Sequence, residues 1–89
     1  MADKDKDKEK EIGEVTHYYS HLEVAIVKFN RKVKVGETIH FKGHTSDFTE
    51  TVNSIQFDHK DIDEAKPGQE VGIKVSEKVR QGDKVYEVV

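Results

Sequence analysis

Phe48-Thr49-Glu50-Thr51-Val52-Asn53-Ser54-Ile55-Gln56-Phe57 begins as an alternation of apolar and polar residues and then breaks its own rhythm. Phe48 and Val52 share one parity, Ile55 and Phe57 the other. Successive side chains of an extended strand point to opposite faces, so one regular strand cannot bury all four. A β-bulge near Asn53-Ser54 would reconcile them, because one extra residue switches the inward face. Bulges of this kind curve and close small barrels. The segment therefore reads as a long fourth strand in a small β-barrel, with Phe48 and Phe57 both in the core.

The flanking sequence has the same character. Upstream lie Ile12 to Tyr19, Leu22 to Phe29 and Thr38 to Lys42; downstream lie Glu70 to Val75 and Lys84 to Val88. In the third of these strands Ile39 and Phe41 point inward, opposite His40 and Lys42. Val24-Ala25-Ile26-Val27 is apolar at both parities, which marks a central strand. Gly36, Gly68 and Gly82 each stand just before a strand. Pro67-Gly68 suits a type II turn, since proline fixes φ at the second position and glycine accepts positive φ at the third. Asp61 to Ala65 has room for one short helical turn, and no longer stretch has helical periodicity. The expectation is an all-β fold, a small closed six-stranded antiparallel barrel whose closure removes exposed edges.

Met1 to Glu11 alternates acids (Asp3, Asp5, Asp7, Glu9, Glu11) with bases (Lys4, Lys6, Lys8, Lys10). Such a tract has no apolar surface to offset the entropy of ordering and is expected to be a disordered, solubilising tail. The domain division is thus a tail over 1–11 and one β-barrel domain over 12–89. The 89-residue chain carries 15 Lys and Arg against 18 Asp and Glu, a net charge of −3. Without the tail, 13 acids and 11 bases remain, so no strongly basic core is hidden behind it. A bulk-charge case for nucleic-acid binding is therefore absent. No apolar run approaches a membrane span of about 20 residues, and the charged N-terminus does not read as a secretory signal. With no cysteine, the expectation is a cytoplasmic protein without disulfides.

Catalytic and metal signatures are missing. No glycine loop ending in Lys-Ser or Lys-Thr supports nucleotide binding, and no Gly-x-Ser-x-Gly elbow is present. His17, His21, His40, His44 and His59 do not fall at zinc spacing. On a strand, His40 and His44 would lie about 13 Å apart. Asp58, Asp61, Asp63 and Glu64 lack the glycine that a calcium loop needs at its sixth position. No catalytic residue, metal or cofactor is expected, and the function should be binding.

Bases do cluster locally. Lys28, Arg31, Lys32 and Lys34 surround the turn after the second strand, and Lys74, Lys78, Arg80 and Lys84 flank the turn before the last. If those turns converged, they would form a rim for a phosphate backbone. Tyr18 and Tyr19 are adjacent and must face opposite sides, which leaves one exposed for stacking on a base. These ten residues are the candidate RNA-binding set.

Four segments carry a family resemblance. Lys34-Val35-Gly36-Glu37-Thr38-Ile39-His40-Phe41-Lys42-Gly43, Val52-Asn53-Ser54-Ile55-Gln56-Phe57-Asp58-His59-Lys60, Asp61-Ile62-Asp63-Glu64-Ala65-Lys66-Pro67-Gly68-Gln69-Glu70-Val71-Gly72-Ile73 and Val79-Arg80-Gln81-Gly82-Asp83-Lys84-Val85 resemble, in the same order, segments of domain 2 of the translational GTPases. The likeness is nearest to short proteins called translation elongation factor-like; the C-terminal barrels of collagenase-like peptidases are also similar. The resemblance implies a Greek-key barrel of the translation-factor domain-2 type. It also implies a pocket at Phe57, Asp58, Gln69 and Glu70, where the delivery factor holds the aminoacyl end of tRNA. Asp58 departs from a position that is often basic there, and Glu70 from an amide; two acids would repel phosphate. Two readings follow. One is an RNA- or ribosome-associated module without a GTPase domain, with tRNA or rRNA as partner. The other is a protein-interaction module docking on a larger enzyme such as a collagenase-like peptidase. Neither involves a nucleotide or a membrane.

Overall fold

The structure, a computed structural model, describes residues 10–44 and 46–88. The expected tail lies outside them over residues 1–9. Ten short strands follow in order: β1 (Glu11–Tyr19), β2 (Val24–Phe29), β3 (Val33–Lys34), β4 (Thr38–Lys42), β5 (Asp47–Thr51), β6 (Ile55–Phe57), β7 (Lys60–Ile62), β8 (Glu64–Ala65), β9 (Glu70–Lys74) and β10 (Lys84–Glu87). There is no helix among the described residues, and therefore none long and apolar enough to cross a membrane. The all-β expectation holds. Glu11, assigned to the tail from the sequence, already belongs to β1 and pairs with Tyr86.

Eight strands form one antiparallel sheet in the order β5-β4-β10-β1-β2-β9-β6-β7, and β3 with β8 makes a separate two-stranded ribbon. The six-stranded closed barrel is thereby corrected. Among the described residues no strand ladder joins β5 to β7. The tight turn after β3 is stitched to both flanks instead. Val35 N–H donates to the Asp63 carbonyl (3.0 Å), Gly36 N–H to that of Val52 (2.7 Å), and Val52 N–H to that of Glu37 (2.8 Å).

The parity conflict in the predicted fourth strand is real, but its solution differs. Val52 and Ile55 are both fully buried, three residues apart, which an unbroken strand forbids. The strand stops at Thr51 and restarts at Ile55, giving β5 and β6 in place of one bulged strand. The register slips lie in β1, between Glu11 and Gly13 against β10 and between Val15 and His17 against β2. Phe57 is corrected from core to surface at 38% exposure, whereas Phe48 stacks on buried Phe41 with ring centroids 5.1 Å apart. The short helical turn expected over Asp61 to Ala65 is also absent, replaced by β7 and β8.

The core is aliphatic, built from inward residues such as Val15, Val27, Ile39, Ile55, Ile73 and Val85 around Phe29 and Phe41. Three turns with one design hold its periphery. In Lys34-Val35-Gly36-Glu37, Lys66-Pro67-Gly68-Gln69 and Arg80-Gln81-Gly82-Asp83 the glycine has φ between 86° and 101°. In each, the fourth residue's N–H donates to the first residue's carbonyl (3.2, 3.1 and 3.0 Å). Its side-chain oxygen accepts from the first residue's N–H in return (2.9, 2.9 and 3.0 Å). The third of these side chains, Asp83, is 7% exposed and lies against Gly43.

Candidate functional site

The basic residues singled out in the sequence are distributed among acids. Arg31 pairs with Glu37 (2.9 Å) and Glu87 (3.2 Å), and Lys32 with Glu64 (3.9 Å). Lys84 pairs with Glu14 (3.3 Å) and Glu11 (3.6 Å). The hydrogen bond that Arg31 donates to Glu37 raises the pKa of its guanidinium, and the one that Lys84 donates to Glu14 raises that of its ammonium. The registers also set Asp47, Lys42, Lys84, Glu14, Lys28 and Glu70 opposite one another in a single row from β5 to β9. Four of the five neighbouring pairs in this row are opposite in sign and attract, and the one like pair, Lys42 beside Lys84, is flanked by Asp47 and Glu14. Lys34, Lys74, Lys78 and Arg80 remain exposed, Lys34 on β3 and the other three at the end of β9 and in the loop that follows it. Of the two tyrosines, Tyr18 packs against the core and Tyr19 is exposed.

The pocket implied by the translation-factor resemblance does not form as one unit. Phe57 and Gln69 line a hollow of ≈ 380 Å³ with Ile62 and Lys66. Asp58 and Glu70 line a different groove. In the first hollow Gln69 already accepts the Lys66 N–H (2.9 Å), and Glu64 is turned to Lys32.

The second groove is the more distinctive site, and the sequence analysis did not assemble it. It runs across the outer face of β2, β9 and β6 in two lobes, ≈ 290 Å³ and ≈ 250 Å³, which share Leu22, Val24, Gln56 and Gly72. Its floor follows from register. Ile26 and Gln56 both stand opposite Gly72, and Val24 stands opposite Lys74. Inward Ala25 and Val27 fill the core, so Val24 and Ile26 face outward. Gly72 adds no side chain, and a Cβ built there would stand 3.2 Å from Val24 Cγ1 and 3.6 Å from Ile26 Cδ1. The depth of the groove is thus set by the missing side chain. Leu22, 60% exposed, and Tyr19, 46% exposed, form one wall.

Backbone geometry singles out the same place. Among the described residues, the non-glycine residues with positive φ are Glu23 (56°), Asp58 (55°) and His59 (63°). Asp58 and His59 line the groove, and Glu23 sits between two of its lining residues. The two-residue loop between Phe57 and Lys60, which are paired, has both φ angles positive, the type I′ geometry that asparagine and glycine usually supply. Left-handed non-glycine residues are uncommon, and such backbone strain concentrates at functional surfaces. The sequence did carry a signal for this site. Residues 24–27, apolar at both parities, mark a strand with an apolar outer face as well as an inner one.

Comparison with known proteins favours the second of the two readings drawn from the sequence, the peptidase-associated module, over the translation-factor one. No family model matches the chain. It is 42% identical over 77 residues to an uncharacterized protease of Methanocaldococcus jannaschii; the match covers 85% of this chain and 19% of the relative. Two crystal structures of the C-terminal domain of a Geobacillus thermoleovorans putative U32 peptidase share its fold. The selenomethionine variant gives a TM-score of 0.83 at 22% identity, covering 88% of this chain and 99% of that domain. The other gives 0.80 at 23% identity, covering 85% and 89%. These findings overturn the translation elongation factor-like identification and the translation assignment, and they lend no support to an RNA or ribosome partner. The chain spans about a fifth of its protease relative, and its fold is that of a U32 peptidase C-terminal domain.

Proposed function

We propose that this β-domain is a non-catalytic docking module that serves a larger U32-peptidase-type body and binds it through the groove over Gly72. The apolar outer face of β2 carries this reading. Leu22, Val24, Ile26 and Tyr19 present hydrocarbon on a sheet face that no other described element covers. Contiguous exposed apolar surface with a polar rim is characteristic of interaction sites. The relative supports the choice of partner, because in it the matching segment is 19% of a much longer chain. In this reading peptide-bond chemistry belongs to the larger body and the domain contributes binding surface.

The experiment is direct. The M. jannaschii protease, produced without its matching segment, is titrated with this domain by calorimetry. A saturable 1:1 complex is expected. Leu22→Ser, at an exposed wall position, should weaken it about tenfold with little change in thermal stability, as loss of a buried aliphatic anchor does. Absence of binding by the unaltered domain would reject the proposal.

A further inference from the structure

The groove has a charge polarity that the docking reading does not require. β6 and β9 are antiparallel, with Gln56 opposite Gly72. Asp58 and Glu70 therefore fall at one end, and Ser54 and Lys74 at the other. The midpoint is apolar, formed by Leu22 and Val24 beside Gly72. Two of the end charges lie outside the ion pairs of the described residues, a condition they share with exposed Lys34, Lys78 and Arg80. Arg31, Lys32 and Lys84 are committed to ion pairs, whereas neither Asp58 nor Lys74 has an ion pair among the described residues. Glu70 accepts the hydroxyl of Thr16 (3.1 Å) and stands opposite Lys28 in the cross-strand charge row.

Glu70 to Lys74 is four residues of strand, about 13 Å at ~3.3 Å per residue. Three alternate side chains of a second extended segment span the same distance, since residues i, i+2 and i+4 share one face. Resting on the docking reading above, we propose that the partner enters this groove as an extended segment of defined chemistry: an aliphatic side chain over Gly72, a basic side chain two positions away toward Asp58 and Glu70, and an acidic one two positions away on the other side toward Lys74. The apolar contact supplies most of the affinity. The end charges fix register and direction, because a segment inserted backwards places like charges together at both ends.

The test uses the same protease body as probe, at two ionic strengths. Asp58→Asn retains a residue that accepts the left-handed backbone, and Lys74→Gln is an exposed strand-end change; both should leave the fold intact. Each is expected to raise Kd about two- to fivefold, the range for a solvent-accessible charge pair. The double variant should lose most of the salt dependence of binding. Lys78→Gln, exposed and outside the groove, should leave Kd within about twofold. The outcomes separate cleanly. If Leu22→Ser weakens binding about tenfold while Asp58→Asn and Lys74→Gln match the unaltered domain, the docking reading stands and the polarity is refuted. If Lys78→Gln weakens binding as much as Lys74→Gln, the attraction is diffuse and the polarity is again refuted. If the unaltered domain does not bind, both proposals fall.

Discussion

Replacing Gly43 by alanine is a severe test of how this domain is held together. A Cβ at Gly43 would land on the carboxylate of Asp83. That carboxylate is almost fully buried, and its Oδ2 accepts the Arg80 N–H at 3.0 Å. The same turn is fastened to β1, because Val15 N–H donates to the Asp83 carbonyl and Gly82 N–H to the Val15 carbonyl, both at 2.8 Å. Gly43 is not among the positive-φ glycines, so the backbone itself tolerates alanine. The cost must come from overlap. Either the carboxylate leaves its seat, losing a charged hydrogen bond worth about 1.5–3 kcal/mol, or the surrounding chain shifts at about 1–3 kcal/mol. Since the two responses partly substitute for each other, a loss of about 3 kcal/mol is expected. In a domain of this size that is a fall in Tm of roughly 12–24 °C. Thermal and urea unfolding followed by circular dichroism would measure it. The diagnostic control is a double-mutant cycle with Asp83→Ala. Once the carboxylate is gone, Gly43→Ala should cost less than about 1 kcal/mol, giving strong coupling. Costs that simply add, or a Gly43→Ala variant as stable as the parent, would refute the argument.

Other perturbations test other parts of the fold. Changing Asp58-His59 to Asn-Gly should stabilise the domain by about 1 kcal/mol, because both positions are left-handed and the new pair suits a type I′ turn; an unchanged urea midpoint would contradict this. Gly13→Ala should destabilise by about 1–3 kcal/mol, since the added methyl stands 2.9 Å from the Phe29 ring in a filled core; chemical unfolding provides the measurement. Burial opposes ionisation of Glu37, but the Arg31 hydrogen bond and the Lys34 N–H outweigh it and lower its pKa below the ordinary 4.5. The folded state therefore favours the carboxylate, and this contribution is complete above about pH 4.5 and disappears as pH falls through the depressed folded value. Glu37→Gln should consequently be less stable than the parent near pH 7, by no more than about 1 kcal/mol for so exposed a pair, and the gap in Tm should shrink toward pH 3.

Much of this architecture is legible in the amino-acid sequence because burial follows parity. Ile39 and Phe41, or Val71 and Ile73, point inward as alternation requires, and the three glycine turns fall where the sequence places them. Legibility ends where local pattern gives way to long-range geometry. The spacing of Val52 and Ile55 reveals a conflict of faces, but a bulge and a chain break satisfy it equally well in sequence. Phe57 shares the inward parity of Ile55, yet it stands at a hairpin end beyond the filled interior, so its burial depends on where the strand stops. The basic clusters mislead for a related reason. Lys28 and Lys84 are neighbours of Glu14 through strand pairing across more than ten residues, and linear proximity does not report that neutralisation. The groove is half visible: two-sided apolarity in β2 marks an outer surface, but only the register with β9 places Gly72 beneath it. The likeness of the turn motifs to translation factors is of the same kind. Glycine-centred turns before strands record a way of building a small sheet, and they do not specify what the sheet binds.

The seam between β5 and β7 gives the domain a preferred place to breathe. A ladder between two edge strands would fail only cooperatively, whereas the turn after β3 is held there by three separate backbone bonds. Local openings of this sort draw on the least protected part of a structure. Solvent should therefore exchange the amide protons of Val35, Gly36 and Val52 well before those of Ala25 or Val27, which lie mid-sheet between two paired neighbours. Because the groove over Gly72 lies on β2, β9 and β6, such fluctuations would be centred on the turn after β3 and would leave the groove in register.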